Sequence, residues 1–161
     1  MNFRTRCKSV IAAVTLLALG SVSATERPLP PTWWALANSF NSEDLGLVKS
    51  LRAMKWFEAC SAWGAGVRSN RQTRRQAALQ LMLEADGLIN KLDLQHVPNR
   101  TIEIGMNTCG VIGAIGLPDS NNTTTTASLT RAQMVYRDRN LYVYTDAKQN
   151  SGNGIVTAIQ R

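Results

Sequence analysis

Imidazole chemistry in this chain has one possible source, His96, which stands in the link after a helical stretch. A hydrolytic triad needs a nucleophile beside that ring and a carboxylate to orient it. The two cysteines that remain once the N-terminal leader is set aside, Cys60 and Cys109, are better spent on each other than on such a site. An even pair in an oxidising compartment reads as a bridge. One histidine and two paired cysteines do not make a zinc site. Gly105, Gly110, Gly113 and Gly116 lack the spacing of a phosphate-cradling loop, so no cofactor is expected. Glu84 and Asp86 fall two apart on a helix and diverge. Glu58 borders an apolar stripe without an evident partner. The catalytic, cofactor and metal sets are all expected to be empty, and a small hydrolase built on His96 is the weakest reading.

Binding chemistry is better represented. Arg71, Arg74 and Arg75 crowd the start of a helix, with Arg68 just before them. Cations there oppose the helix dipole by about 0.3–1 kcal/mol each. No acidic residue follows within helical reach until Glu84, which points to an anionic partner. The plain alternative is a solvated basic turn that keeps the chain soluble. Arg131, Arg137 and Arg139 form a second basic group near a hairpin, and Tyr142 and Tyr144 are aromatic residues of a strand.

The N-terminus sets the compartment. Arg4, Arg6 and Lys8 precede the apolar run from Val10 to Leu19, and Val22-Ser23-Ala24 supplies small residues for cleavage. Residues 1–24 thus have the form of a secretory signal peptide, cleaved near Ala24. No cysteine at the cleavage point offers a lipid anchor, and no later segment is long and apolar enough to cross a bilayer. Loss of the leader lowers the formal charge of +7 by three. The mildly basic remainder fits an acidic or anionic partner and does not mark a nucleic-acid binder.

Residues 25–40 carry Pro28, Pro30 and Pro31 and read as an extended arm ending near Trp33-Trp34. Residues 41–161 read as a single domain. A first helix is expected from Asn41 to about Val67. Leu45, Val48, Leu51, Met54 and Phe57 form one stripe, and Trp56, Cys60, Trp63 and Val67 a second. A second helix is expected from Ser69, with Gln72 at capping-box spacing, through Leu92, weakened at Gly87. The two should pair antiparallel across their short turn. Thr101 to Ile104 reads as a short strand or extended lead-in. A short third helix is expected from Asn107 to Ile115, closed by Gly116 and Pro118. Strands follow at Asn122–Ala127, Thr130–Tyr136, Leu141–Thr145 and Gly154–Ile159. Helices first and strands afterwards make an α+β fold, with the helices on one face of an antiparallel meander.

Several segments also carry a resemblance. They are Ile104-Gly105-Met106-Asn107, Gly116-Leu117-Pro118-Asp119, Asn122 with its threonines, Gln133-Met134-Val135-Tyr136, Leu141-Tyr142-Val143-Tyr144 and Asn153 to Gln160. This series, roughly the last 60 residues, resembles the C-terminal motif of small bacterial secreted proteins. It is similar to SmpA/OmlA-type envelope proteins and to the β-lactamase-inhibitor-protein fold. The resemblance implies short helices on a small sheet and a binding role in the cell envelope. The chain departs from it in lacking a lipoprotein cysteine and in lengthening the last hairpin with Asp146 to Gly152, expected to be a mobile polar loop. The expected function is a non-enzymatic periplasmic or secreted protein that binds a protein or an anionic envelope surface. The alternative is an inhibitor or immunity-type protein that blocks an enzyme with its sheet face.

Overall fold

A computed structural model of the chain describes residues 46–47, 50–51, 53–70, 73–148 and 151–161. The leader, the proline-rich arm, Asn41 and Arg71 lie outside the described residues. Among the described residues, after the helical residues 46–47 and 50–51, come four helices, α1 (Trp56–Arg68), α2 (Arg74–Ala85), α3 (Lys91–His96) and α4 (Thr108–Ile115), then four strands, β1 (Ser120–Thr125), β2 (Leu129–Tyr136), β3 (Leu141–Lys148) and β4 (Ile155–Gln160). The strands pair antiparallel in chain order, with a short 3-10 turn, Arg137–Arg139, between β2 and β3. The class is α+β, as expected.

Both expected long helices are divided. Residues 46–47 and 50–51 are helical, but Met54 N–H bonds back to Leu51 and Lys55 is extended, so α1 begins afresh at Trp56. The change of apolar stripe near Trp56 and Phe57 marks this break. Ser69 closes α1 instead of opening α2: its hydroxyl donates to the carbonyls of Ala65 and Gly66. Thr73 caps α2, accepting from Gln76 N–H. Gly87, at φ +66°, turns the chain out of α2, and Leu88 N–H reaches back to the Leu83 carbonyl. Asn90 and Asp93 then form a capping box that opens α3. Thr101 to Ile104 forms no strand.

The core is set by the crossing of α1 and α4. Cys60 and Cys109 are bonded, with Cα atoms 5.2 Å apart. One turn further along each helix, Gly64 and Gly113 meet backbone to backbone: a Cβ on Gly64 would collide with the Gly113 carbonyl. Trp63 lies fully buried beside them, and a Cβ on Gly113 would come within 2.8 Å of its ring. One turn later still, the Arg68 guanidinium donates to the Gly113 carbonyl and caps the end of α4. The two helices therefore run in the same direction at their contact.

The start of α4 is closed by groups from elsewhere, because Asn107 supplies no side-chain cap. Asp93 Oδ1 accepts from Asn107 N–H at 3.0 Å, the Gly154 carbonyl from Thr108 N–H at 2.8 Å, and Asn153 Oδ1 from Cys109 N–H at 3.0 Å. These satisfy donors that a helix start leaves unpaired. Gly110 is required here, since a Cβ would strike the Asp93 carboxylate. Asn153 also donates to the carbonyl of Leu88. The residue after the expected mobile loop, Asn153, is thus a clasp across three elements; of that loop, Asp146 to Lys148 belong to β3, and residues 149–150 lie outside the described residues. On the sheet, Met134, Tyr136, Leu141, Val143, Thr145 and Val156 turn inward under this helical layer. The Tyr136 hydroxyl donates to the Gly116 carbonyl at the end of α4, and burial pushes its pKa above the usual tyrosine range.

Two tests follow from this layer. Gly64→Ala overpacks the crossing and should lower stability to urea by about 2–3 kcal/mol, with the disulfide intact. Wild-type stability there would mean the helices part freely. Asp93 gives a pH signature. Burial pushes its carboxyl up to about 6 from 3.8, against the N–H groups of Asn90 and Asn107 and the nearby His96. A folded value above the unfolded one favours folding when the group is protonated. That stabilisation is complete below the unfolded value and is lost as pH climbs through the folded one. Relative to Asp93→Asn, the wild type should lose on the order of 2–3 kcal/mol between about pH 4 and 6.5. A difference that grows with pH would show the carboxylate to be held ionised.

Candidate functional site

The outer face of the sheet, opposite the helices, carries the most organised polar surface. Gln133 stands between Asn122 and Tyr144 in register. Asn122 Nδ2 donates to Gln133 Oε1 at 3.1 Å, Gln133 Nε2 to the Tyr144 hydroxyl at 3.0 Å, and that hydroxyl to Gln160 Oε1 at 3.1 Å. One chain of side-chain bonds therefore crosses all four strands. Arg131 and Asp146, paired across β2 and β3, flank it with a 3.1 Å ion pair. Tyr142, two residues from Tyr144, shares the face and is likewise half-buried. Ile155, 44% exposed, adds an apolar spot at the β4 end.

The two sheet edges differ. The start of β4 is covered, because Gly105 and Met106 exchange backbone bonds with Val156 and Asn107 forms a bridge to Ile155. Among the described residues, strand β1 is bonded on the β2 side alone, and five of its six residues are exposed, on both faces. Its residues are Ser, Asn and Thr, without the charges or proline that usually blunt an edge. Thr126 N–H closes on the Leu129 carbonyl. Alternation of antiparallel bonds then turns the N–H groups of Asn121, Thr123 and Thr125 outward.

The expected binding residues divide between layers. Tyr142 and Tyr144 lie on the outer sheet face. Arg74 and Arg75 lie exposed in the first turn of α2, where no acidic residue accompanies them. Arg75 borders a groove of about 390 Å³ between α1 and α2, floored by Ala62, Ala65 and Leu79. Sequence reasoning did not single out the β1 edge or the α1–α2 groove. The run Thr123–Thr126 was legible only as strand-forming, because which strand lies at an edge depends on topology.

His96 has partners: Nε2 lies 2.7 Å from Glu103 Oε2 and Nδ1 lies 2.9 Å from Thr101 Oγ1. This places a hydroxyl, an imidazole and a carboxylate in line. Thr101 Oγ1 also donates to the His96 carbonyl, at 3.3 Å. With Nε2–H facing Glu103, a neutral ring leaves Nδ1 as an acceptor, so the Thr101 hydrogen has two acceptors within reach, the ring nitrogen and the carbonyl.

No protein-family model matches the chain, and neither a curated protein nor a solved structure matches it.

The outer bonds of the ladder are exposed and its central bond is half-buried, so its bonds compete with water at the rim. Tyr144→Phe removes two of them and should change stability by less than about 1 kcal/mol. A larger loss on thermal unfolding would make the ladder structural.

Proposed function

We propose that the protein is a non-enzymatic binding protein of the bacterial cell envelope, exported by its N-terminal leader, that engages another protein through the open sheet. The observation that carries this reading is β1, an edge strand with both faces exposed and one row of backbone groups unpaired. An extended segment of a partner gains main-chain hydrogen bonds along such an edge, while side chains beside it supply selectivity. Tyr142, Tyr144 and the amide ladder lie on the adjoining face and offer aromatic and polar contacts. The resemblance of the C-terminal half to envelope proteins of the SmpA/OmlA type supports the same reading. An enzyme inhibitor that uses Tyr142 and Tyr144 is a narrower form of it, and an anionic surface held by Arg74 and Arg75 is the other way to engage the envelope.

Thr123→Pro separates these. Proline is tolerated on an edge strand where its N–H would face solvent, so the fold should persist while strand addition is blocked. The full chain should capture a partner from envelope extract, and the amides of β1 should gain hydrogen-exchange protection in the complex. Thr123→Pro should weaken that capture at least tenfold, by about 1.4 kcal/mol or more, without changing the melting temperature. Capture that survives this change but fails in Arg74→Gln/Arg75→Gln would move the interface to the helical turn.

A further inference from the structure

Four arginines from four distant parts of the chain converge at one end of the molecule. Arg68 closes α1, Arg100 lies in the turn after α3, Arg139 in the 3-10 turn before β3, and Arg161 follows β4. Arg100, Arg139 and Arg161 line one cleft of about 370 Å³. Behind it, the Arg68 guanidinium is held below the usual arginine range by burial and by the charges of Arg100 and Arg139. None of the ion pairs among the described residues includes any of these four. The carboxylates that do pair nearby are otherwise engaged: Glu103 with His96, and Asp119 with the Arg137 N–H.

Local structure does not ask for this cluster. Arg100 sits at φ +56°, a left-handed conformation that glycine or asparagine adopts more easily. Only Arg68 has a structural task, capping α4 through Gly113. The others bring like charges together in a concave site, where low-dielectric walls concentrate the field on whatever enters. Several guanidinium groups outnumber the single charge of a carboxylate. A phosphate group carries more charge and more acceptor oxygens, and the planar arginine fork pairs with it two bonds at a time. Ile102, Ile115 and Leu141 form an apolar wall of the same cleft, with Thr101 beside them.

We propose that this cleft is a phosphate-binding site that takes a phosphate monoester, with the apolar wall receiving the carbon atoms nearest the phosphate. It does not depend on the sheet-edge reading, because it uses none of those residues.

The test uses the full, oxidised chain. Inorganic phosphate, added at constant ionic strength against chloride, should cause saturable shifts of the Arg100 and Arg139 side-chain N–H signals in NMR and should raise the melting temperature. Arg100→Gly/Arg139→Gln should abolish both responses. Without phosphate it should melt no lower than wild type, since it relieves like-charge crowding and the strained turn. Arg74→Gln/Arg75→Gln should leave both responses intact. A soluble short-chain phosphatidate distinguishes the two sources of the group. Binding about tenfold tighter than inorganic phosphate, the gain of burying two or so methylenes, assigns a lipid headgroup. Equal affinity assigns a free phosphate compound, and either result upholds the site. The proposal is overturned by an equal response to chloride, by phosphate binding that survives in Arg100→Gly/Arg139→Gln, or by a lower melting temperature of that variant, which would make the arginines structural.

Discussion

Two glycines bring the backbones of two helices into contact, and the fold depends on it. Gly64 and Gly113 let the backbones of α1 and α4 touch, one turn from the place where Cys60 and Cys109 are joined. Each helix thus repeats the same device, a cysteine followed four residues later by a glycine. The disulfide closes a 49-residue separation, and such a closure stabilises a fold by about 4 kcal/mol in the chain-entropy model. The glycines decide how near the helices lie, and so how completely Trp63 is enclosed. Arg68 carries the same contact line one turn further and satisfies a carbonyl at the end of α4.

From that crossing the rest of the molecule is positioned through polar groups. The start of α4 is capped by Asp93, Gly154 and Asn153, which come from α3 and from the loop before β4. Its end is fastened to the sheet by the Tyr136 hydroxyl on the Gly116 carbonyl. A helix of eight residues could not stand alone. Here its unpaired backbone groups join three parts of the chain. Asp93 has the largest stake in this arrangement: it is fully buried, and its oxygens meet the backbone N–H groups of Asn90 and Asn107.

Binding surfaces fall where this framework stops. The helical layer buries inner-face residues of β2, β3 and β4, whereas β1 projects with both faces exposed. The arginine-lined cleft lies where the ends of α1, α3 and β4 come together with the turn before β3. Arg100, Arg139 and Arg161 lie outside the core, while Leu141 of the cleft wall belongs to it and Arg68 belongs to the crossing of α1 and α4.

Local signals in the sequence determined the class of the fold, the pairing of the cysteines, the short α4 with its Gly116 stop, and the four strands. Those features rest on periodicity, cap residues and an even cysteine count, which neighbours in the chain express by themselves. The helix break at Ala53–Lys55 shows in the sequence only as a change of apolar stripe, and the break at Gly87 was harder to see, because the apolar stripe continues across it. The role of Asn153 was not legible at all: a polar loop residue forms a helix cap only when a distant helix start is brought to it. Tyr142 and Tyr144 could be named from the strand pattern, but the edge position of β1 follows from the order of strands in space. Arg68, Arg100, Arg139 and Arg161 look unrelated along the chain. Tertiary structure alone gathered them, because the electrostatic field of a cluster depends on distances through space and not on separation in sequence.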